Sequence, residues 1–252
     1  IGLDIGTGSV TAAIEGKGIV LSEPAVLALE RESGKVIAAG KEALNMTGRC
    51  PDAIKLVRPL LSGGISNLEN SKLLLRTFLE RICKNKIFKP TVAATMPAGL
   101  TNLEKRNILS CLLNAGAGRA VLIEEPLAAA IGAGLPVSEP TGSMIVDIGG
   151  GTTDVAVLSM TGVAVSSSVP VAGDAFDEAI AKYVRRKHGI IIGQTTAEEV
   201  KIQIGCVYPR NEDASVSVKG RDAKSGMPRE LAEAISKFAI GEKGRHSAGK
   251  LI

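Results

Sequence analysis

A chain of 252 residues with 45% hydrophobic residues and a formal charge of +4 can build a sizeable core, as one large or two modest domains. Aromatic residues make up only 2% and tryptophan is absent, so the core must be Leu, Ile, Val and Ala; stacking on bases is not the expected binding mode and no nucleic-acid partner is expected. Cys50, Cys83, Cys111 and Cys206 are scattered, with only His188 and His246 as possible co-ligands, which argues against a zinc cluster or a disulfide framework and for reduced, cytosolic thiols.

In chain order, the first predicted element is a β-hairpin. Ile1-Gly2-Leu3-Asp4-Ile5 runs into Gly6-Thr7-Gly8-Ser9, and a second apolar run through Ala12-Ala13-Ile14 leads away. Such a tip exposes backbone N–H groups to an anion, the glycines permitting close approach and φ > 0. The chain opens inside this strand without an initiator Met, so the expectation is that its native start lies upstream. A meander follows, with turns predicted at Glu15-Gly16-Lys17-Gly18 and Ser33-Gly34-Lys35. Leu74, Phe78, Leu79 and Ile82 fall at helical spacing and predict an amphipathic helix over 67–84. Thr91 to Met96 reads as a buried strand, and Thr101-Asn102-Leu103-Glu104 as a capping box opening a helix to about Asn114. Ala120 to Ile123 is the next strand and Glu125 to Gly134 the next helix. Strand, helix, strand, helix predicts parallel pairing, with the hairpin strands joining the same sheet antiparallel. Glu124-Glu125 interrupts the apolar run 120–137, and no other segment approaches the ~20 residues that a membrane-spanning helix needs.

Met144-Ile145-Val146-Asp147-Ile148-Gly149-Gly150-Gly151-Thr152-Thr153-Asp154 then repeats the opening pattern. Asp4, Gly6 and Ser9 recur at one constant spacing as Asp147, Gly149 and Thr152, so the chain reads as duplicated, one hairpin per half. A third strand is predicted over Val163 to Pro170, a helix over Asp174 to His188 closed by Gly189, and a further helix from Thr195. Residues 241–252 show little periodicity and are expected to fray. Residues 201–252 hold ten Lys/Arg against six Asp/Glu, whereas the first 200 hold twenty of each. That excess reads either as a solvated surface or as attraction to anionic lipid or another acidic partner.

A carboxylate at a strand end beside a phosphate cradle suits hydrated Mg²⁺, which keeps several waters and bridges phosphate oxygens. Asp4 and Asp147 fit that role; the alternative is that each closes its own turn. Thr7, Gly8, Ser9, Gly149, Gly150, Gly151 and Thr152 are the expected donors to β- and γ-phosphates. Glu125, between a strand and a helix N-terminus, reads equally as the group that orients an attacking water or as a helix-dipole partner. Ile87-Phe88, ringed by Lys84, Lys86 and Lys89, reads as a loop that dips into an anionic bilayer or as ordinary core. Glu198 and Glu199 read as first-turn acids and Lys201 as a solvated charge.

Taken together, Asp4-x-Gly6-Thr7-Gly8, Ile123-Glu124-Glu125-Pro126, Asp147-x-Gly149-Gly150-Gly151-Thr152-Thr153-Asp154 and Ala172-Gly173-Asp174-x-x-Asp177 resemble the superfamily of actins, sugar kinases and heat-shock chaperone ATPases. Val57-Arg58-Pro59-Leu60, Phe88-Lys89-Pro90 and Val200-Lys201-Ile202-x-Ile204-Gly205 are similar to the MreB-type bacterial actins in particular. The resemblance runs to about Arg229. It implies an α/β actin-like ATPase (duplicated ribonuclease H-like) fold, with halves at residues 1–141, including a small subdomain at about 29–67, and 142–252, the second incomplete. It implies ATP and Mg²⁺ as ligands, weak ATP hydrolysis with Glu125 and Asp147 as catalytic groups, and the helix carrying Glu198, Glu199, Val200 and Lys201 at the ribose and base. Self-assembly into filaments is implied as well, at the inner face of the cytoplasmic membrane with Ile87 and Phe88 inserted. There such filaments would work with the cell-wall elongation machinery to set rod shape. Two departures stand out: Thr7-Gly8-Ser9 replaces the commoner Thr-Ala-Asn, and no second glycine-rich loop follows Gly151, so a fragment or an altered copy is expected. Other readings are a non-polymerising chaperone-like ATPase, a small-molecule kinase, or an inactive fragment.

Overall fold

The computed structural model describes residues 1–61, 64–65, 67–83, 89–206 and 215–231. They form two compact units, Ile1–Pro170 and a second beginning at Val171. Ile87 and Phe88, and the stretch 241–252, lie outside the described residues.

In the first unit, β1 (Gly2–Ile5), β2 (Ser9–Ile14) and β3 (Gly18–Pro24) make an antiparallel meander. A small sheet follows, built from β4 (Leu27–Glu30), β5 (Val36–Ala39) and β6 (Ile54–Val57), with α1 (Lys41–Leu44) between β5 and β6. Strand β4 is buried on both faces: Leu27 and Leu29 join the main core, while Val26 and Ala28 pack with Ala43 of α1. Gly40 precedes that helix at φ 73, and a Cβ there would also strike the Glu23 carboxylate, whose Oε2 accepts the Lys41 N–H at 2.7 Å; both requirements select glycine. A short pair, β7 (Leu60–Leu61) and β8 (Gly64–Ile65), leads to α2 (Leu68–Ile82).

Helix α2 begins where expected, Asn67 capping it through the Asn70 N–H, and buries Leu74, Leu75, Phe78 and Leu79. β9 (Thr91–Met96), α3 (Asn102–Asn114) and β10 (Arg119–Glu124) form the predicted crossover unit, and the Thr101/Glu104 capping box is present in both directions. The sheet order is β10-β9-β1-β2-β3, parallel between β10, β9 and β1 and antiparallel beyond. Leu3, Val10, Ala12, Val92 and Ala94 face α2 and α3 (Ile108, Cys111, Leu112) in one core. Burial there pushes the Cys111 thiol up to about 11, so it behaves as an inert apolar group.

α4 (Glu125–Gly132) starts directly at the end of β10, with Pro126 in its first turn. β11 (Ser143–Ile148), β12 (Thr153–Ser159) and β13 (Gly162–Val169) make a second antiparallel meander, and Leu127 and Ala130 of α4 pack on Ile145, Ala156 and Leu158. The β12–β13 turn has no glycine at its two tip positions, Gly162 following them as the first residue of β13. Met160 and Thr161 adopt φ 51 and 63, and their amides donate to the carbonyls of Glu139 (3.1 Å) and Val137 (2.7 Å).

The second unit holds α5 (Gly173–His188), ended by Gly189 at φ 67 as predicted, then β14 (Ile190–Ile191), α6 (Gln194–Ile204), β15 (Val218–Asp222) and β16 (Pro228–Leu231). Ile180, Val184, Ile190, Ala197, Val200 and Val218 form its core. Beside them the β15–β16 turn is held by Asp222, whose carboxyl the Ser225 and Lys224 amides and the Arg229 guanidinium keep well below the usual range.

Candidate functional site

The two hairpins repeat in register as well as in sequence. Asp4 stands opposite Thr11 and Ile5 opposite Val10; at the matching positions of the second hairpin, Asp147 stands opposite Asp154 and Ile148 opposite Thr153. Both tips are therefore turns of the same size, the second closed by a Gly149 N–H to Thr152 carbonyl bond of 2.9 Å. The first is anchored by its Gly8 carbonyl, which accepts the Ala25 N–H at 3.0 Å.

The tips meet. A Cβ on Gly150 would lie 3.3 Å from the Gly8 nitrogen, and one on Gly151 would lie 2.9 Å from Thr7 Oγ1. Thr7 is itself buried. One expectation about these glycines is corrected: none of the tip glycines has a positive φ. Their lack of a side chain at Gly150 and Gly151 serves the close approach of one turn to the other, a steric requirement rather than a left-handed backbone.

The carboxylates follow from strand ends. Asp4 lies near the end of β1 and Glu125 directly follows β10, so both stand at the carboxyl edge of the parallel strands, where open α/β sheets hold ligands. Half-buried Glu125 is pushed up to about 7, first by desolvation and then by the charges of Asp4, Asp147 and Asp154. Asp147 is raised too, by burial and then by Asp4 and Asp154. Such mutual effects place four carboxyl groups around one locus, and among the described residues no Lys or Arg forms an ion pair with any of them. An excess of negative charge of this kind favours a cation. No three His, Cys, Asp or Glu among the described residues stand close enough to hold a metal directly; carboxylates facing one locus are of the chemistry that can hold a hydrated dication through its waters.

Of the residues singled out in the sequence, Asp4, Thr7, Gly8, Glu125, Asp147, Gly150 and Gly151 are thus brought together within one unit. Ser9 is exposed at the start of β2, and Thr152 spends its carbonyl on closing the second tip. In the second unit, Glu198 and Glu199 are exposed on α6, whereas the Val200 side chain is core and its backbone lies within the helix. The Lys201 ammonium lies 2.9 Å from buried Asp177 Oδ1. Its aligned hydrogen bond goes instead to the Gly173 carbonyl at 3.3 Å, so Asp177 Oδ1 takes charge compensation without a directed bond.

Sequence reasoning gave no role to three residues at these places. Thr95 donates its hydroxyl proton to Asp4 Oδ1 at 2.7 Å; only the pairing of β9 with β1 brings them together. Asp154 closes the second glycine motif, and its buried carboxyl acts on Asp147 and Glu125. Asp177 follows Asp174 in the Gly173 motif, and a buried acid on an otherwise apolar helix face was the available signal.

Known proteins match this chain over nearly its whole length. The family model described as MreB/Mbl protein matches residues 1–242. The cell shape-determining protein Mbl of Bacillus subtilis (strain 168) is 43% identical over 253 residues, spanning 100% of this chain and 75% of the relative. The cell shape-determining protein MreB of Escherichia coli (strain K12) is 46% identical over 254 residues, spanning 96% of this chain and 73% of the relative. Among solved structures, MreB5 of Spiroplasma citri bound to AMPPNP superimposes with a TM-score of 0.84 at 39% identity, covering 91% of this chain and 69% of that one. A MamK double helical filament shares the fold, with a TM-score of 0.76 at 20% identity.

Proposed function

The chain belongs to the MreB/Mbl protein family, and from that premise we propose that it is a nucleotide-dependent bacterial actin homologue that binds Mg·ATP between its two hairpin tips and assembles to govern cell shape. The observation that carries this reading is the contact of the tips, Gly150 on Gly8 and Gly151 on Thr7, beside a glutamate whose carboxyl is pushed up to about 7. Support for the ligand comes from MreB5, solved with AMPPNP and with ADP.

In this reading the amides of Thr7 to Ser9 and Gly150 to Thr152 donate to the phosphate oxygens, while Gly149 closes the second tip, and the waters held by Asp4 and Asp147 fix the cation's position. Mg²⁺, when bound, supplies charge neutralisation on the β- and γ-phosphates. Glu125 accepts a hydrogen bond from the attacking water. With its pKa near neutrality, it is matched to taking that proton as the water oxygen bonds to the γ-phosphorus and the bridging bond to the β-phosphate oxygen breaks, releasing ADP and phosphate. A role for Glu198, Glu199 and Lys201 toward the ribose and base rests on the family resemblance, and in the second unit itself the Lys201 ammonium is held by the Gly173 carbonyl and Asp177. Filament formation, an inner-membrane location and contact with the cell-wall elongation machinery are further parts of the proposal. The membrane part rests on Ile87 and Phe88, and vesicle flotation that requires both residues checks it.

The central test pairs binding with turnover. Wild type and Glu125→Gln are titrated with Mg·ATP and their phosphate release is followed. Similar affinities with hydrolysis slowed at least tenfold in the variant are expected, within the range for loss of a general base. Equal hydrolysis rates would remove Glu125 from the mechanism, and absence of binding in wild type would remove the reading altogether.

A further inference from the structure

Strands β1 and β9 pair in parallel through Gly2↔Ala93 and Leu3↔Ala94, with the Ala93 N–H donating to the Ile1 carbonyl at 2.9 Å. In the regular parallel pattern the ladder would next send the Ile5 N–H to the Thr95 carbonyl. It goes instead to the Thr95 hydroxyl oxygen, at 3.2 Å, at the point where the assigned pairing stops. A threonine hydroxyl has one proton. With its oxygen already accepting from Ile5, that proton is given to Asp4 Oδ1 at 2.7 Å, a short bond of the charge-assisted kind.

From this bridge we infer that Thr95 is a positioning residue for the Asp4 carboxylate, fixing Oδ1 on the protein and reserving Oδ2 for the water shell of a divalent cation. The inference rests on the Mg·nucleotide reading given above. Asp4 is exposed at a strand end, where its side chain would otherwise exchange among rotamers. The hydroxyl removes that freedom before any ligand arrives, so less ordering remains to be done on binding. Among the described residues no other side chain bonds to Asp4, and Asp147 has no equivalent hydroxyl partner; the device belongs to the first hairpin alone.

The test uses the whole chain and three proteins: wild type, Thr95→Val, which keeps the shape and loses the hydroxyl, and Thr95→Ser, which keeps the hydroxyl. Affinity for ATP is measured with saturating Mg²⁺ and in excess EDTA. Thr95→Val should weaken Mg·ATP binding roughly fivefold to tenfold, the scale of one hydrogen bond to a charged group. Metal-free ATP binding should not change, and Thr95→Ser should behave as wild type. Equal losses with and without Mg²⁺, equal losses in Ser and Val variants, or no loss at all would each overturn the inference. A second readout needs no nucleotide. In selectively labelled protein the Asp4 Hα–Hβ couplings should report one χ1 rotamer in wild type and in Thr95→Ser, and an average in Thr95→Val. Averaging already present in wild type refutes the positioning role, whereas a single rotamer in wild type with no Mg²⁺-dependent ATP binding refutes the functional reading and leaves the bridge intact.

Discussion

The meanders β1-β2-β3 and β11-β12-β13 are one design in two settings. Their hairpins share register to the residue, yet the first is extended by parallel β9 and β10 over a broad core, whereas the second is covered by α4 through a smaller cluster. Opposite Asp4 stands a neutral Thr11, and Thr95 bonds its carboxylate; opposite Asp147 stands a second acid, Asp154, and its carboxyl is raised. Identical turn chemistry thus sets two aspartates among different neighbours. Backbone shape is local to the turn, while protonation depends on neighbours that other strands deliver.

The contact between the two settings can be broken first. Gly151→Ala sets a methyl 2.9 Å from Thr7 Oγ1 and 3.2 Å from its Cβ, so the tips must separate; at least a tenfold loss in ATP affinity is expected by titration. Gly8→Ala points a methyl into open space and should leave the melting temperature unchanged within about one degree, since no packing is disturbed.

The acidic locus gives the next largest effect. Glu125 holds its proton in the folded chain up to about pH 7, against 4.5 ordinarily. The folded state therefore binds more protons than the unfolded state across that window, and the stability contribution present below about pH 4.5 is lost as pH rises through 7. After allowance for solvent screening the loss is on the order of 2 kcal/mol. Glu125→Gln should accordingly melt above wild type at pH 8 and converge with it toward pH 4.5, by calorimetry. Identical pH profiles would mean that neither burial nor the neighbouring acids shift Glu125 between the folded and unfolded chain.

Making the second hairpin resemble the first sharpens the same point. Asp154→Thr copies Thr11, and carboxyl NMR titration should show both Asp147 and Glu125 moving down toward ordinary values, with Asp4 and the burial of each group still acting. The smallest effect lies in the turns that follow. β2–β3 uses Gly16 and Gly18 at φ 74 and 69, whereas β12–β13 strains Met160 and Thr161 into the same region. Thr161→Gly should stabilise by about 0.5–1 kcal/mol in urea, relief of a left-handed residue less the entropy of glycine; Gly18→Thr should cost about 1–2 kcal/mol.

Much was legible in the sequence because its causes are local. The Thr101/Glu104 capping box, the Asn67 start of α2, the Gly189 stop of α5 and both hairpin turns depend on residues within a few positions of each other. Parallel pairing of β9 and β10 followed from alternation of strand and helix. A strand beginning at Val163 was legible, but not the form of the turn before it, because Met160-Thr161 carries no turn chemistry; hydrogen bonds to Val137 and Glu139, far back in the chain, hold it. Val200 reads as part of a polar helix start, and only packing with Ile180 and Val218 makes it core.

The chain by itself determined two glycine turns behind two aspartates, and a glutamate at the head of a helix. Tertiary structure decided that the turns touch, that Thr95 and not another hydroxyl reaches Asp4, and that Glu125 titrates near neutrality. The reason is range: a turn is selected by dihedral preferences within a few residues, whereas burial and charge act through space, between strands brought together only by a shared core.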